Sequence, residues 1–229
     1  SRALSPKPLH DQRLSFVKSD HWTKQLEDSL KNVEADLNDG HKNDPRLRDA
    51  GAKLRQAVAA SKGHCDADQV WVSGKLNCSL LANGFMFASG ILPYAAPGSF
   101  AGYKSRDDLF YPGRYSYTES ANLLPLYVLA DSNTWSAAEY FAALLRDNHA
   151  ATVVGELTGG AGCGYTDDGI PAQLKNSKAD LKMSDCVRLR ADGSDEVNGV
   201  TPDVLIPWAK RDSPYQRARK LVNALSSLR

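Results

Sequence analysis

The chain has 229 residues, of which 28 are Lys or Arg and 27 are Asp or Glu, for a formal net charge of +1. That balance supplies no general attraction for nucleic acid or anionic lipid, so neither is expected as a main partner. The length is enough to bury a sizeable core, and no apolar run approaches the length that spans a bilayer.

The opening stretch SRALSPKPLHDQR lacks the hydrophobic core of a signal peptide, which leaves a removed one open. From Ser19 to Leu37, Trp22, Leu26, Leu30, Val33 and Leu37 recur every three or four residues and predict a helix with one apolar stripe, started by Ser19 and Asp20 and stopped at Gly40. After Asp44 and Pro45, the positions Leu47, Leu54 and Val58 predict a second helix running to Gly63. The pair reads as a charged helical hairpin, either a lid, tether or dimer arm, or an ordinary pair covering a core edge.

Val70–Val72 and Ser79–Phe87 are short apolar runs punctuated by Gly74, Asn83 and Gly84, as in strands with turns. Residues 90–122, with several tyrosines and Pro93, Pro97 and Pro112, read as a long loop; its tyrosines either line a peptide groove or cover the loop's own small core. Beyond the central stretch treated below, 166–185 is polar and irregular, and Val187–Ala191 alternates like a half-buried strand. Asp203–Ile206 is expected as a strand and Ser213–Leu228 as an amphipathic helix with Leu221, Val222 and Leu225 inward. Strands alternating with helices predict an α/β fold.

Cys65 and Cys78 flank one short stretch and Cys163 and Cys186 another, with no CxxC pair to suggest zinc. Two local disulfides are the economical reading and favour a periplasm or the cell exterior; four reduced, buried cysteines are the alternative. No metal or nucleotide cofactor is expected, since ELTGGAGCGY has glycines but neither the Walker lysine nor the dinucleotide spacing.

The informative stretch runs from Pro125 to Tyr165, PLYVLADSNTWSAAEYFAALLRDNHAATVVGELTGGAGCGY. An apolar run, Leu126–Ala130, stops at the turn formers Asp131, Ser132 and Asn133. An Ala-rich amphipathic helix follows, then a second apolar run and a glycine loop. Thr134 is the better N-cap candidate, which puts Ser136 in the first turn, among backbone N–H groups that lack intrahelical partners and suit an oxyanion. Ala137 and Ala138 leave room beside it, and Glu139 is favoured there by the helix dipole. Asp147 reads as a helix-terminal structural residue, and Glu156 as a carboxylate closing the turn by accepting backbone N–H bonds.

TWSAAE, with serine three positions before a glutamate, and the following DNHAATVVGELTGG resemble the serine peptidase family that contains the tail-specific (C-terminal processing) proteases and the tricorn protease. The resemblance implies that Ser136 is the nucleophile and that the Ala137 N–H is one oxyanion donor, with Gly159 and Gly160 in the glycine loop near substrate. The tail-specific branch carries a lysine base in that loop, where this chain has Ala161. The tricorn-like branch uses a histidine and a glutamate shortly before GVxPD. DEVNGVTPDVLIP is similar to that region and puts Glu196 in the glutamate's position.

The family's RGNGGG turn, which carries the second oxyanion donor, is absent, and His10, His21, His41, His64 and His149 all lack the family context. The resemblance therefore implies a crotonase/Clp-protease-like core of repeated β-β-α units, of which 65–229 is the C-terminal part and 1–64 a helical appendage or insertion. The first half would be missing, replaced, or supplied by another chain or a second copy. The expected function is a serine endopeptidase acting on unfolded or tail segments of proteins. The alternative is a non-catalytic ligand- or peptide-binding module on the same fold. No GxSxG elbow supports an α/β-hydrolase.

Overall fold

The computed structural model describes residues 2–5, 9–63, 68–75, 79–164 and 172–228, and the chain divides into two units, each discontinuous in sequence. One consists of residues 11–118 and 163–189, the other of 1–10, 119–162 and 190–229. In chain order the elements are β1 (Arg13–Val17), α1 (Asp20–Asn38), α2 (Pro45–Ser61), α3 (Asp68–Ser73), β2 (Leu81–Phe87), α4 (Arg106–Phe110), β3 (Tyr127–Ala130), α5 (Ala137–Asp147), β4 (Thr152–Gly155), β5 (Ala172–Gln173), β6 (Asp180–Leu181), β7 (Cys186–Leu189), β8 (Val204–Leu205) and α6 (Pro214–Ser226).

In the first of these units α1 and α2 start where their caps dictate. The Ser19 hydroxyl accepts the Trp22 N–H at 3.2 Å, and the Asp44 carboxylate accepts the Arg46 N–H at 2.9 Å with Pro45 in the first turn. Their facing stripes bury Leu26, Val33, Leu47 and Leu54, each contributing roughly 2 kcal/mol by removal from water. The core continues through Phe16, stacked on Trp22 at 5.0 Å, to Ile91, Phe100 and Leu109. An antiparallel sheet of order β2-β1-β7 borders it.

Cys163 and Cys186 are joined by a disulfide, with Cα atoms 5.7 Å apart. Cys65 and Cys78 lie outside the described residues.

The other unit holds a parallel sheet of order β3-β4-β8, with α5 as the connection from β3 to β4. The register Tyr127↔Thr152 to Ala130↔Gly155 turns Val128, Ala130 and Val153 toward Ala142 of α5, whose small side chain lets the helix approach closely. Leu144 and Leu145 pack with Leu9. Asp203 ties the unit's lower edge: one oxygen accepts the Val153 N–H at 2.9 Å, the other the Arg146 guanidinium at 2.8 Å.

Several expectations are corrected. Val70–Val72 belongs to the helix α3 rather than to a strand, since so short an apolar run has no period that separates the two. Residues 90–122 contain α4 and a 3-10 turn at Tyr111–Arg114, and β5 and β6 pair inside the stretch expected to be irregular. No residue of α6 is buried, and Val222 is 59% exposed, not inward.

Candidate active site

The turn after β3 is built by short polar side chains. The Asp131 carboxylate accepts the Asn133 N–H at 2.9 Å, the Asp131 carbonyl accepts the Thr134 N–H at 2.9 Å, and the Thr134 hydroxyl oxygen accepts the Asp131 N–H at 3.0 Å. The chain reaches α5 through Ser136, which is the N-cap in place of the expected Thr134 and adopts φ 55°, ψ −116°. That backbone conformation is one L residues avoid, and it persists only where the surroundings over-determine it. Ser136 is exposed, and the next N–H, that of Ala137, has no acceptor among the described residues.

What over-determines the turn is Glu139, one α-helical turn on and fully buried. Its Oε2 accepts the N–H of Ser136 at 3.0 Å and of Ala161 at 2.7 Å; its Oε1 accepts the N–H of Gly160 and the Thr158 hydroxyl, both at 2.6 Å. Burial pushes this carboxyl up. The bonds from Thr158, Gly160, Ala161 and Ser136 outweigh that and hold it below the usual carboxylate range. The carboxylate that closes the turn is thus Glu139, whereas Glu156 gives its backbone N–H to Ala130 at 2.9 Å. Sequence reasoning registered Glu139 for its charge near a helix start and as the glutamate of TWSAAE, without a role as a clamp. The available signal was its Ser-x-x-Glu spacing, that of a capping box.

Gly159 and Gly160 stand where a side chain does not fit. A Cβ on Gly159 would collide with the Trp135 indole, which is anchored by Nε1–H donating to the Ser132 carbonyl at 2.7 Å. One on Gly160, at φ 73°, would meet the Val197 carbonyl. The glycine loop is held on its other side by the 3-10 turn Glu196–Asn198 and the residues after it: the Val200 N–H donates to the Thr158 hydroxyl oxygen at 2.7 Å, and the Thr158 N–H to the Val200 carbonyl at 3.3 Å. The Ser136 turn, the glycine loop and the 196–200 turn therefore form one hydrogen-bonded assembly. Glu196 lies in it, fully buried and within the electrostatic reach of Arg190. Arg190 itself donates to Asp147 at 3.0 Å, a pairing that raises its pKa against the opposing effect of burial.

The structure does not bring a histidine of this unit to Ser136. His149 follows the Asn148 cap of α5, and the His10 N–H donates to the Asn148 side chain at 2.7 Å. Both sit beyond the far end of a helix of 11 residues, roughly 16 Å of axis from its start. A polar hollow of about 510 Å³ opens at that same far end, lined by Arg146, Asp147, His149, Arg190 and Asp203 among others. Its guanidinium groups are paired within the chain, Arg146 with Asp203 and Arg190 with Asp147. His21 and His41 belong to the other unit, and His64 lies outside the described residues.

The chain is 34% identical over 119 residues to an uncharacterized protein of Chlamydia muridarum (strain MoPn / Nigg), an alignment covering 49% of this chain and 19% of that one. It is 28% identical over 116 residues to a Chlamydia pneumoniae protein, covering 50% and 18%. Among solved structures, mature CPAF superposes with a TM-score of 0.57 at 20% identity, and mature CPAF complexed with lactacystin with 0.56 at 19%; each covers 99% of this chain and 39% of its own. At those identities the likeness is one of fold. The matches span about a fifth of the curated relatives and about two-fifths of the solved chains. The family model for peptidase family S41 matches residues 81–206, more than half of the sequence, and the chain belongs to that family.

Proposed function

We propose that this chain carries the nucleophile-bearing part of a serine endopeptidase acting on unfolded or tail segments, with Ser136 as nucleophile and a histidine base supplied from outside the β3-α5-β4 segment. The observation that carries the reading is a conjunction at one residue. Ser136 is exposed, held at φ 55° between a strand and a helix, and followed by a backbone N–H with no acceptor among the described residues.

In this reading the Ser136 hydroxyl oxygen attacks a peptide carbonyl carbon while its proton passes to the imidazole. The carbonyl oxygen becomes an oxyanion that accepts a hydrogen bond from the Ala137 N–H. Collapse then expels the amine, which receives the proton from the imidazolium, and water hydrolyses the acyl-enzyme. Glu196 supports the imidazolium, and substrate lies as an added strand past Gly159 and Gly160. In this reading Glu196 supports the imidazole and does not stand in for it as the base.

The parallel sheet is then one part of a repeated, crotonase/Clp-like core, completed by the rest of a longer protease or by a second copy. That the chain spans about two-fifths of the CPAF chains supports this. The Cys163–Cys186 disulfide favours an oxidising compartment, periplasmic or extracellular.

A non-catalytic binding module is the second reading, favoured by the position of His10 and His149 at the wrong end of α5. A fluorophosphonate probe separates the two. Labelling that is present in the wild-type chain and lost in Ser136→Ala is the expected result, with lactacystin, to which one CPAF structure is complexed, as a second probe. Labelling that never appears, or that survives the substitution, leaves the binding module.

A further inference from the structure

We propose that Glu139 is a positioning residue for the nucleophile, holding Ser136 and the glycine loop in one reactive arrangement; this rests on the peptidase reading of Ser136. A capping-box glutamate at this position would accept the N-cap N–H and no more. Here only one of four donors is local, and the other three come from Thr158, Gly160 and Ala161, 19 to 22 residues further along.

Each carboxylate oxygen accepts two hydrogen bonds, which fills the four lone-pair sites of an ionised carboxylate. The arrangement has two consequences for the chemistry. The Ser136 N–H is consumed, so the first-turn donor left for an oxyanion is that of Ala137. The avoided backbone conformation of Ser136 is held by a bond to the same group that suspends the loop carrying Gly159 and Gly160, so nucleophile and loop keep one relative position.

Only the carboxylate can do this. In Glu139→Gln one oxygen becomes an NH2 group that faces two donors instead of accepting from them, while side-chain length and volume are unchanged. The buried Asp36, in the other unit, serves as a control carboxylate.

The experiment uses the full chain as wild type, Glu139→Gln, Thr158→Val and Asp36→Asn, with two readouts. The first is the rate of fluorophosphonate labelling as a function of probe concentration, which separates probe affinity from bond formation. The second is hydrogen exchange in the segments 134–141 and 158–162. Glu139→Gln is expected to lower the limiting labelling rate by about 100-fold with little change in half-saturating concentration, as a misplaced nucleophile does, and to speed exchange in both segments. Thr158→Val, which removes one donor of four to Glu139 together with the acceptor of the Val200 N–H, is expected to cost roughly 10-fold and keeps the test open should Glu139→Gln fail to fold. Asp36→Asn is expected to leave the labelling rate of the folded protein unchanged.

Labelling of Glu139→Gln at the wild-type rate overturns the proposal, as does faster exchange confined to 134–141, which is the behaviour of an ordinary cap. If the wild-type chain is never labelled, the peptidase reading falls by itself. Exchange then decides whether Glu139 holds the two segments together: acceleration in both upholds that part, and acceleration in neither overturns it.

Discussion

Two buried carboxylates, one in each unit, are built alike and hold different things. Asp36, on α1, is 2% exposed; it accepts the Lys104 N–H at 2.9 Å, the Ser105 N–H at 2.8 Å and the Ser105 hydroxyl at 2.6 Å, and so fixes the entry to α4. Glu139 does the same for the glycine loop. For both, burial raises the pKa and hydrogen bonds to the charged form more than cancel it, leaving each below the ordinary carboxylate range. The difference lies in the serine each one grips. Ser105 sits at φ −82°, a relaxed conformation, whereas Ser136 sits at φ 55° and is exposed. The same device is a fold clamp in one place and a holder of strain at the surface in the other.

Truncation breaks the comparison most sharply. Glu139→Ala strands four donors and is expected to cost about 4 kcal/mol, and Asp36→Ala, which strands three, about 3 kcal/mol, both read from denaturant unfolding. Only the first should also abolish probe labelling in the protein that remains folded; equal losses of labelling would make Glu139 no more than a second Asp36.

The glycine loop gives a smaller effect with its own internal control. Gly159→Ala meets the Trp135 ring and Gly160→Ala the Val197 carbonyl, and each is expected to destabilise by roughly 2 kcal/mol. Trp135→Ala should restore part of the loss at Gly159 and none at Gly160, because a side chain can be removed and a backbone oxygen cannot. A double-mutant cycle measures that coupling.

Acid gives the smallest and most general effect. A carboxyl whose pKa is depressed by folding lends stability that is complete above its unfolded value, near 4, and lost as pH falls through the folded value. Asp36 and Glu139 both act in this sense. So does Asp44, held at about 2 chiefly by its bonds from Arg46. The melting temperature is therefore expected to be level from pH 7 to about pH 4.5 and to fall below that; a loss beginning above pH 5.5 would contradict depressed values.

The parts of the molecule legible in the sequence are those whose causes are local. The apolar stripes and caps of α1 and α2, and the strand, helix, strand, glycine-loop order from Leu126 onward, follow from spacing within one element. The strand β1 did not declare itself, because RLSFV is made a strand by partners far away, β2 at 81–87 and β7 at 186–189. Glu139 was visible as a residue and not as a clamp, for its donors arrive from across the fold. The assignment of turn closure to Glu156 went astray for the same reason: nearness in sequence is a poor guide to which carboxylate a glycine loop folds over. For α6, periodicity located the helix and its apolar side, but a pattern cannot say whether anything covers that side, and here none of its residues is buried.

The Trp135 indole, seated on Gly159 and adjacent to Ser136, makes the protein its own optical gauge. With only four tryptophans in the chain, replacing Trp22, Trp71 and Trp208 by phenylalanine leaves a single fluorophore whose emission colour and quenching follow the loop. A shift on addition of an acylating reagent would then time the covalent event without any attached dye.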